Sequence, residues 1–127
     1  MIEIVLDTSF LMLLAEKSSQ HIIDDIMRIM DPVSFVVPDC VVEELSRLSL
    51  SRHVRKSKLA QLALKFVNEK MKVVETLKTG SVDDRIVSYA RERPNVWVAT
   101  MDHVLKERLL RENLKCVTLS NNKVVLC

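Results

Sequence analysis

The sequence predicts an α/β domain built on a central, mostly parallel sheet of about five strands. Short apolar runs rich in β-branched residues alternate with longer stretches whose apolar residues recur at helical spacing. Strands separated by helices pair in parallel and lie in one sheet. The 127 residues are 48% hydrophobic, enough for one buried core, so a single domain over residues 1–127 is expected.

The elements follow in order. Residues 2–6 form an almost continuous apolar run ended by Asp7, the pattern of a buried parallel strand. Residues 8–15 follow as a helix with Thr8 or Ser9 as its cap. A second helical pattern covers residues 22–30 and stops before Pro32; residues 34–37 are the next strand, closed by Pro38. Asp39 is placed to cap a helix over residues 41–50. A basic stretch at 52–58 leads into a long helix ending near Glu69, and residues 72–74 are the third strand. Gly80 and Ser81 turn the chain into a helix reaching about Glu92, residues 96–99 form the fourth strand, and a helix covers about 101–112. The fifth strand is 116–119. Asn121 and Asn122 then signal a turn, and 123–126 supply an edge strand.

The net charge of +2 is close to neutral and selects no partner. No apolar run is long enough to cross a membrane, and no basic stretch precedes the apolar opening as in a signal peptide. Cys40, Cys116 and Cys127 are odd in number, lack metal-ligand spacing and lie among apolar residues. They are expected to be small buried hydrophobes in a reducing cytoplasm, with no disulfide. With one glycine and three prolines the chain has no linker composition, and Gly80 alone cannot form a glycine-rich phosphate loop.

Four acidic residues carry the functional reading. Asp7, Glu44, Asp83 and Asp102 each stand where a strand ends or a helix begins. An open α/β sheet gathers its strand ends in one crevice. Carboxylates meeting there repel unless a hard cation such as Mg²⁺ or Mn²⁺ neutralises them. Each acid also has a structural explanation as a helix cap, so helical geometry must separate them. Residues advance by about 100° each around a helix axis. Asp83 lies on the inward face with Ile86 and Ala90, whereas Asp84 completes a capping box with Ser81. Glu44 borders the stripe of Val41, Leu45 and Leu48, whereas Glu43 lies roughly opposite it. Asp102 shares a face with Leu105 and Leu109, and Asp7 directly follows the first strand.

Other aspartate-based sites do not fit. Haloacid-dehalogenase-like phosphatases need a second aspartate two places after the first, where Ser9 stands; response-regulator receivers need an acidic pair after the first strand. The chain instead resembles the PIN domain family of metal-dependent ribonucleases. The resemblance rests on Ile4-Val5-Leu6-Asp7-Thr8-Ser9, Pro38-Asp39-Cys40-Val41-Val42 with Glu44-Leu45, Ser81-Val82-Asp83-Asp84-Arg85-Ile86, and Val98-Ala99-Thr100-Met101-Asp102 with Leu105-Lys106. It spans nearly the whole chain and is most similar to the archaeal and eukaryotic branch that includes ribosomal-RNA-processing endonucleases. Toxin ribonucleases of toxin–antitoxin pairs share the acidic frame. Val104 stands where many members carry another acid, a departure at a second metal position.

The resemblance implies a three-layer α/β/α domain that hydrolyses RNA with water activated by Mg²⁺ or Mn²⁺. It assigns Asp7, Glu44, Asp83 and Asp102 as catalytic, with Asp7 and Asp102 as direct metal ligands and Glu44 and Asp83 binding directly or through water. Thr8, Ser9, Asp84 and Thr100 would support these carboxylates. Because an acidic crevice repels RNA, basic groups must hold the phosphates; Arg52, Arg55, Lys56 and Lys58, with Arg85 and Lys106, are the candidates. His103 adjoins Asp102 and is a further candidate substrate contact. Implied partners are RNA, a small antitoxin or a ribosome-assembly partner, and a second copy of the chain as a homodimer. A cytoplasmic location and no membrane partner are expected. A non-catalytic RNA- or protein-binding module of the same fold is the competing class.

Overall fold

A computed structural model describes residues 1–17 and 19–127, and the side chains of these except residue 19. In chain order the elements are β1 (Ile2–Leu6), α1 (Thr8–Glu16), α2 (Ser19–Met30), β2 (Val33–Pro38), α3 (Asp39–Ser49) and α4 (Val54–Lys70). They continue with β3 (Lys72–Val74), α5 (Val82–Arg91), β4 (Val96–Ala99), α6 (His103–Arg111), β5 (Lys115–Ser120) and β6 (Lys123–Leu126). Among the described residues the sheet has six strands in the order β3-β2-β1-β4-β5-β6. The first five are parallel, and β6 runs antiparallel to β5. The expected edge strand is therefore the sixth.

Apolar side chains explain the layering. Ile4, Val5, Leu6, Val36, Val37, Val98, Ala99 and Val117 are fully buried, so the central strands are covered on both sides. Helices α1 to α4 contact one another, while α5 meets β4 and α6 meets β5. Right-handed crossovers carry these two groups over opposite faces, giving the three-layer α/β/α arrangement. The strand order reverses between β1 and β4: β1 leads to β2 on one side, and the chain returns to β4 on the other. Crevices at such reversals, outside the carboxyl ends of the strands, hold ligands in open α/β sheets.

Three local expectations need correction. Asp7, not Thr8 or Ser9, caps α1, because its carboxylate is the group in reach of the Phe10 amide. Asp39 is the first residue of α3 and follows the cap Pro38; its carboxylate accepts instead from the Cys40 amide at 2.9 Å, Thr76 Oγ1 at 2.6 Å and Lys78 Nζ at 2.7 Å. Cys116 and Cys127 are joined by a disulfide, contrary to the expectation of three free thiols; only Cys40 is free and buried among the described residues. The cause is register. Asn121 and Asn122 take φ of 53° and 64°, the two-residue turn that matches strand twist. Pairing then runs from Ser120 opposite Lys123 to Val117 opposite Leu126, and one step further sets Cys116 against Cys127 with Cα atoms 4.9 Å apart.

Candidate active site

Asp7, Glu44, Asp83 and Asp102 line one cleft of about 290 Å³, together with Thr8, Ser9, Leu48 and Val82. Four residues spread over the length of the chain thus meet at the reversal of strand order. Each is brought there by a different element: Asp7 by the end of β1, Glu44 by α3, Asp83 by the first turn of α5, and Asp102 by the segment joining β4 to α6.

Asp7 is the most enclosed, at 5% exposure. Its Oδ1 accepts from Ser9 Oγ and from the Phe10 amide, both at 2.8 Å, and its Oδ2 accepts from the hydroxyl of Thr100. Burial pushes this carboxyl up to about 6, against the pull of its bonds to Thr100, Phe10 and Ser9; the neighbouring Asp102 charge adds to the rise. Thr100, itself fully buried, also accepts the Asp102 amide at 2.9 Å. Ser9 Oγ accepts the Met101 amide at 3.0 Å. Two hydroxyls therefore tie the end of β1 to the segment after β4.

Asp102 caps α6. Its Oδ1 accepts the amides of Val104 at 2.8 Å and Leu105 at 3.2 Å, while its Oδ2 has no hydrogen-bond partner among the described residues. Val104 contributes its amide to this cap and is 68% exposed. Glu44 is half-buried, accepts from the Thr8 hydroxyl and shares a helix with the exposed Glu43. Asp83 is half-buried, and its carboxyl is raised by burial and then by the charges of Asp102 and Glu44, with Arg108 opposing. Asp84 is turned to other work. It completes the capping box with Ser81 and pairs with Arg108 Nη1 at 2.6 Å, and that bond leads the causes holding its carboxyl low.

Among the described residues no three His, Cys, Asp or Glu side chains form a ready metal-ligating cluster. The donor set still suits a hard divalent cation: carboxylate oxygens only, with Asp102 Oδ2 uncommitted and no lysine or arginine lining the cleft. Like charges repel, so four carboxylates lining one cleft favour a cation that offsets them.

The candidate phosphate-binding residues fare unequally. Arg52, Lys56 and Lys58 are exposed around the start of α4. Arg55 pairs with Glu16 at 2.9 Å. Arg85 is only 11% exposed at its side chain and is engaged by Asp39 at 3.4 Å and Thr76 at 3.2 Å. Lys106 is half-buried and has no acidic partner among the described residues. One residue escapes the sequence reading, and another, Asp39, is read there only as a helix cap. Arg108 places a cation beside Asp83 through a contact between α5 and α6 that no local pattern signals. Asp39 carries no ligand but, through Arg85, links the helix bearing Glu44 to the helix bearing Asp83.

Known proteins were compared with the chain and its fold. The family described as PIN like domain matches residues 4–122. Ribonuclease VapC4 of Methanocaldococcus jannaschii is 33% identical over 125 residues, covering 97% of this chain and 94% of its own. The solved structure of the PIN domain endonuclease Utp24 superposes with a TM-score of 0.77 at 22% identity, over 98% of this chain and 90% of that one. A domain of a functionally unknown Methanocaldococcus jannaschii protein gives 0.64 at 18%, over 94% and 92%. These two likenesses speak to the fold alone.

Proposed function

The chain belongs to the PIN like domain family, and from that premise we propose that it is a metal-dependent ribonuclease whose catalytic acids are Asp7, Glu44, Asp83 and Asp102. The observation that carries the reading is the meeting of these four acids in one cleft where the strand order reverses. RNA is the proposed substrate because the 33%-identical relative is a ribonuclease. RNA maturation, including that of ribosomal RNA, is the proposed role. A toxin paired with a small antitoxin is the alternative, and growth arrest on expression alone would mark it.

Asp7, Asp102, Glu44 and Asp83 would hold Mg²⁺ or Mn²⁺. When bound, such an ion lowers the pKa of water and offsets charge on phosphoryl oxygens. The chain's own contribution is positioning. Ser9, Thr100 and the Phe10 amide hold Asp7; Thr8 holds Glu44; the start of α6 holds one oxygen of Asp102 and leaves the other for a ligand. Glu44 or Asp83, the two half-buried carboxylates of the cleft, would take a proton from the attacking water.

Cleavage of single-stranded and structured RNA with Mn²⁺ or Mg²⁺ tests the reading. Wild type should cut and EDTA should stop it. Asp7→Asn, Asp83→Asn and Glu44→Gln should lose cleavage by about 100-fold or more, whereas Asp84→Asn and Glu43→Gln should retain it. Cleavage that survives EDTA rejects the metal, and cleavage lost in Asp84→Asn but kept in Asp83→Asn rejects the assignment on α5.

A further inference from the structure

A second groove lies along the segment that leads into α6. It has a volume of about 420 Å³ and is lined by Met101, His103, Lys106, Thr118, Leu119, Ser120 and Val125. Asp102 lines the acidic cleft, and the residues on either side of it, Met101 and His103, line this groove. The two cavities therefore share one wall, the segment leading into α6.

The lining is mixed in a way that matches a nucleotide. Met101 and Val125 expose apolar surface, at 36% and 38%, with Leu119 beside them. Ser120 is exposed on β5, while Thr118 is only 8% exposed and its hydroxyl donates to Met101 Sδ at 3.6 Å, a weak acceptor that a better one would displace. Lys106 and His103 stand on α6, and neither has an acidic partner among the described residues. Among the other candidate phosphate contacts, Arg55 and Arg85 are paired with carboxylates, and Arg52, Lys56 and Lys58 do not line this groove. A phosphodiester entering a cleft lined by four acids needs a cation beside the cleft to hold its neighbouring phosphate.

We propose that this groove is the subsite for the nucleotide adjoining the scissile phosphate in single-stranded RNA. Lys106, with His103, contacts its phosphate, the Met101–Val125 surface packs its base, and the Thr118 and Ser120 hydroxyls meet its sugar, where a 2′-hydroxyl can both give and accept a hydrogen bond. The inference rests on the nuclease reading for what lies in the adjoining cleft, but it is tested by binding.

The experiment titrates a fluorescein-labelled single-stranded oligouridylate against the full chain by anisotropy, over a range of NaCl, in an Asp83→Asn background that keeps the probe intact. Lys106→Glu should weaken binding about tenfold, and Lys106→Ala should reduce the slope of log affinity against log salt by about 0.7. Lys106→Arg should bind as the parent does. Lys65→Glu makes the same charge change on the exposed side of α4, away from the groove, and should have little effect. Binding within twofold of the parent in Lys106→Glu, or an equal loss in Lys65→Glu, overturns the subsite. Should wild type cleave no RNA, the nuclease reading fails separately, and the titration on wild type itself still judges the groove.

Discussion

The perturbation with the clearest signature is Asp39→Asn. Asp39 Oδ1 accepts from the amides of Cys40 at 2.9 Å and Thr76 at 3.1 Å, from Thr76 Oγ1 at 2.6 Å and from Arg85 at 3.4 Å; Oδ2 accepts from Lys78 at 2.7 Å. Burial alone would push this carboxyl up. The bonds from Lys78, Thr76 and the Cys40 amide, with the Lys78 charge, outweigh burial and hold it at about 2 against an ordinary 3.8. Each tenfold change in proton affinity is worth about 1.4 kcal/mol, so the drop corresponds to a few kcal/mol at most, on the order of 2. Lys78 is 71% exposed at its side chain, so water and salt screen its share, and about 1–2 kcal/mol is expected.

The sign follows from the depressed value. This stabilisation is fully present above the unfolded pKa, near pH 4, and is lost as pH falls toward about 2. Asparagine can still accept the two amides, but its NH₂ group meets the Lys78 ammonium donor to donor. Urea unfolding of wild type and variant from about pH 7 down to about pH 2 reads the effect, since other carboxylates titrate in both proteins and cancel in the difference. The gap should be about 1–2 kcal/mol at neutral pH and close between about pH 4 and pH 2. A gap that stays constant across that window, or that widens as pH falls, would refute the argument. Because Asp39 also links α3 to α5 through Arg85, the variant should cleave RNA more slowly at neutral pH while remaining folded.

Three further outcomes follow from the site and its supports. Thr100→Val removes a buried hydroxyl that donates to Asp7 and accepts the Asp102 amide, and should lower stability by about 1–3 kcal/mol in urea unfolding and reduce cleavage; an unchanged midpoint contradicts it. Gly80→Ala forces a side chain onto a backbone with φ of 95° and sets a Cβ 3.1 Å from the Cβ and Oδ2 of Asp84, so a loss of about 1–2 kcal/mol is expected, and a variant as stable as wild type would show that the turn relaxes freely. Asp102→Asn keeps a good cap and should unfold within about 0.5 kcal/mol of wild type, whereas Asp102→Ala should lose about 1 kcal/mol. Both should lose cleavage, and retained activity in either would remove Asp102 from the site.

What the sequence carried was local. The runs at β1, β2, β4 and β5 are apolar because both faces of a central parallel strand are buried, so periodicity found them. The same logic placed Glu44 at the edge of the buried stripe with Glu43 exposed, and put Asp84 in a capping box with Ser81. What stayed hidden depends on contacts between distant segments. Arg85 belongs by sequence to a motif beside Asp83, yet it is drawn away by Asp39, 46 residues earlier. The pairing of Cys116 with Cys127 depends on a hairpin register that composition cannot supply. Arg108 on α6 reaches Asp84 on α5, a contact between separate elements that no local pattern sets.

The division between structural and catalytic acids also changes. In the sequence, a capping role for Asp7 or Asp102 competes with a role as ligand. In the fold Asp102 commits one oxygen to its cap, whereas both oxygens of Asp7 are held. Asp102 gives Oδ1 to the amides that begin α6 and leaves Oδ2 without a partner among the described residues. Asp7 gives Oδ1 to the amide that begins α1, and Thr100, which holds its Oδ2, also holds the backbone of Asp102. Capping thus helps fix both carboxylates at the ends of the neighbouring strands β1 and β4. Asp7 remains buried with a carboxyl pushed up to about 6, a placement that core packing alone would disfavour. Three donors, Ser9, Thr100 and the Phe10 amide, hold that carboxylate in place, and capping α1 is part of how it is held.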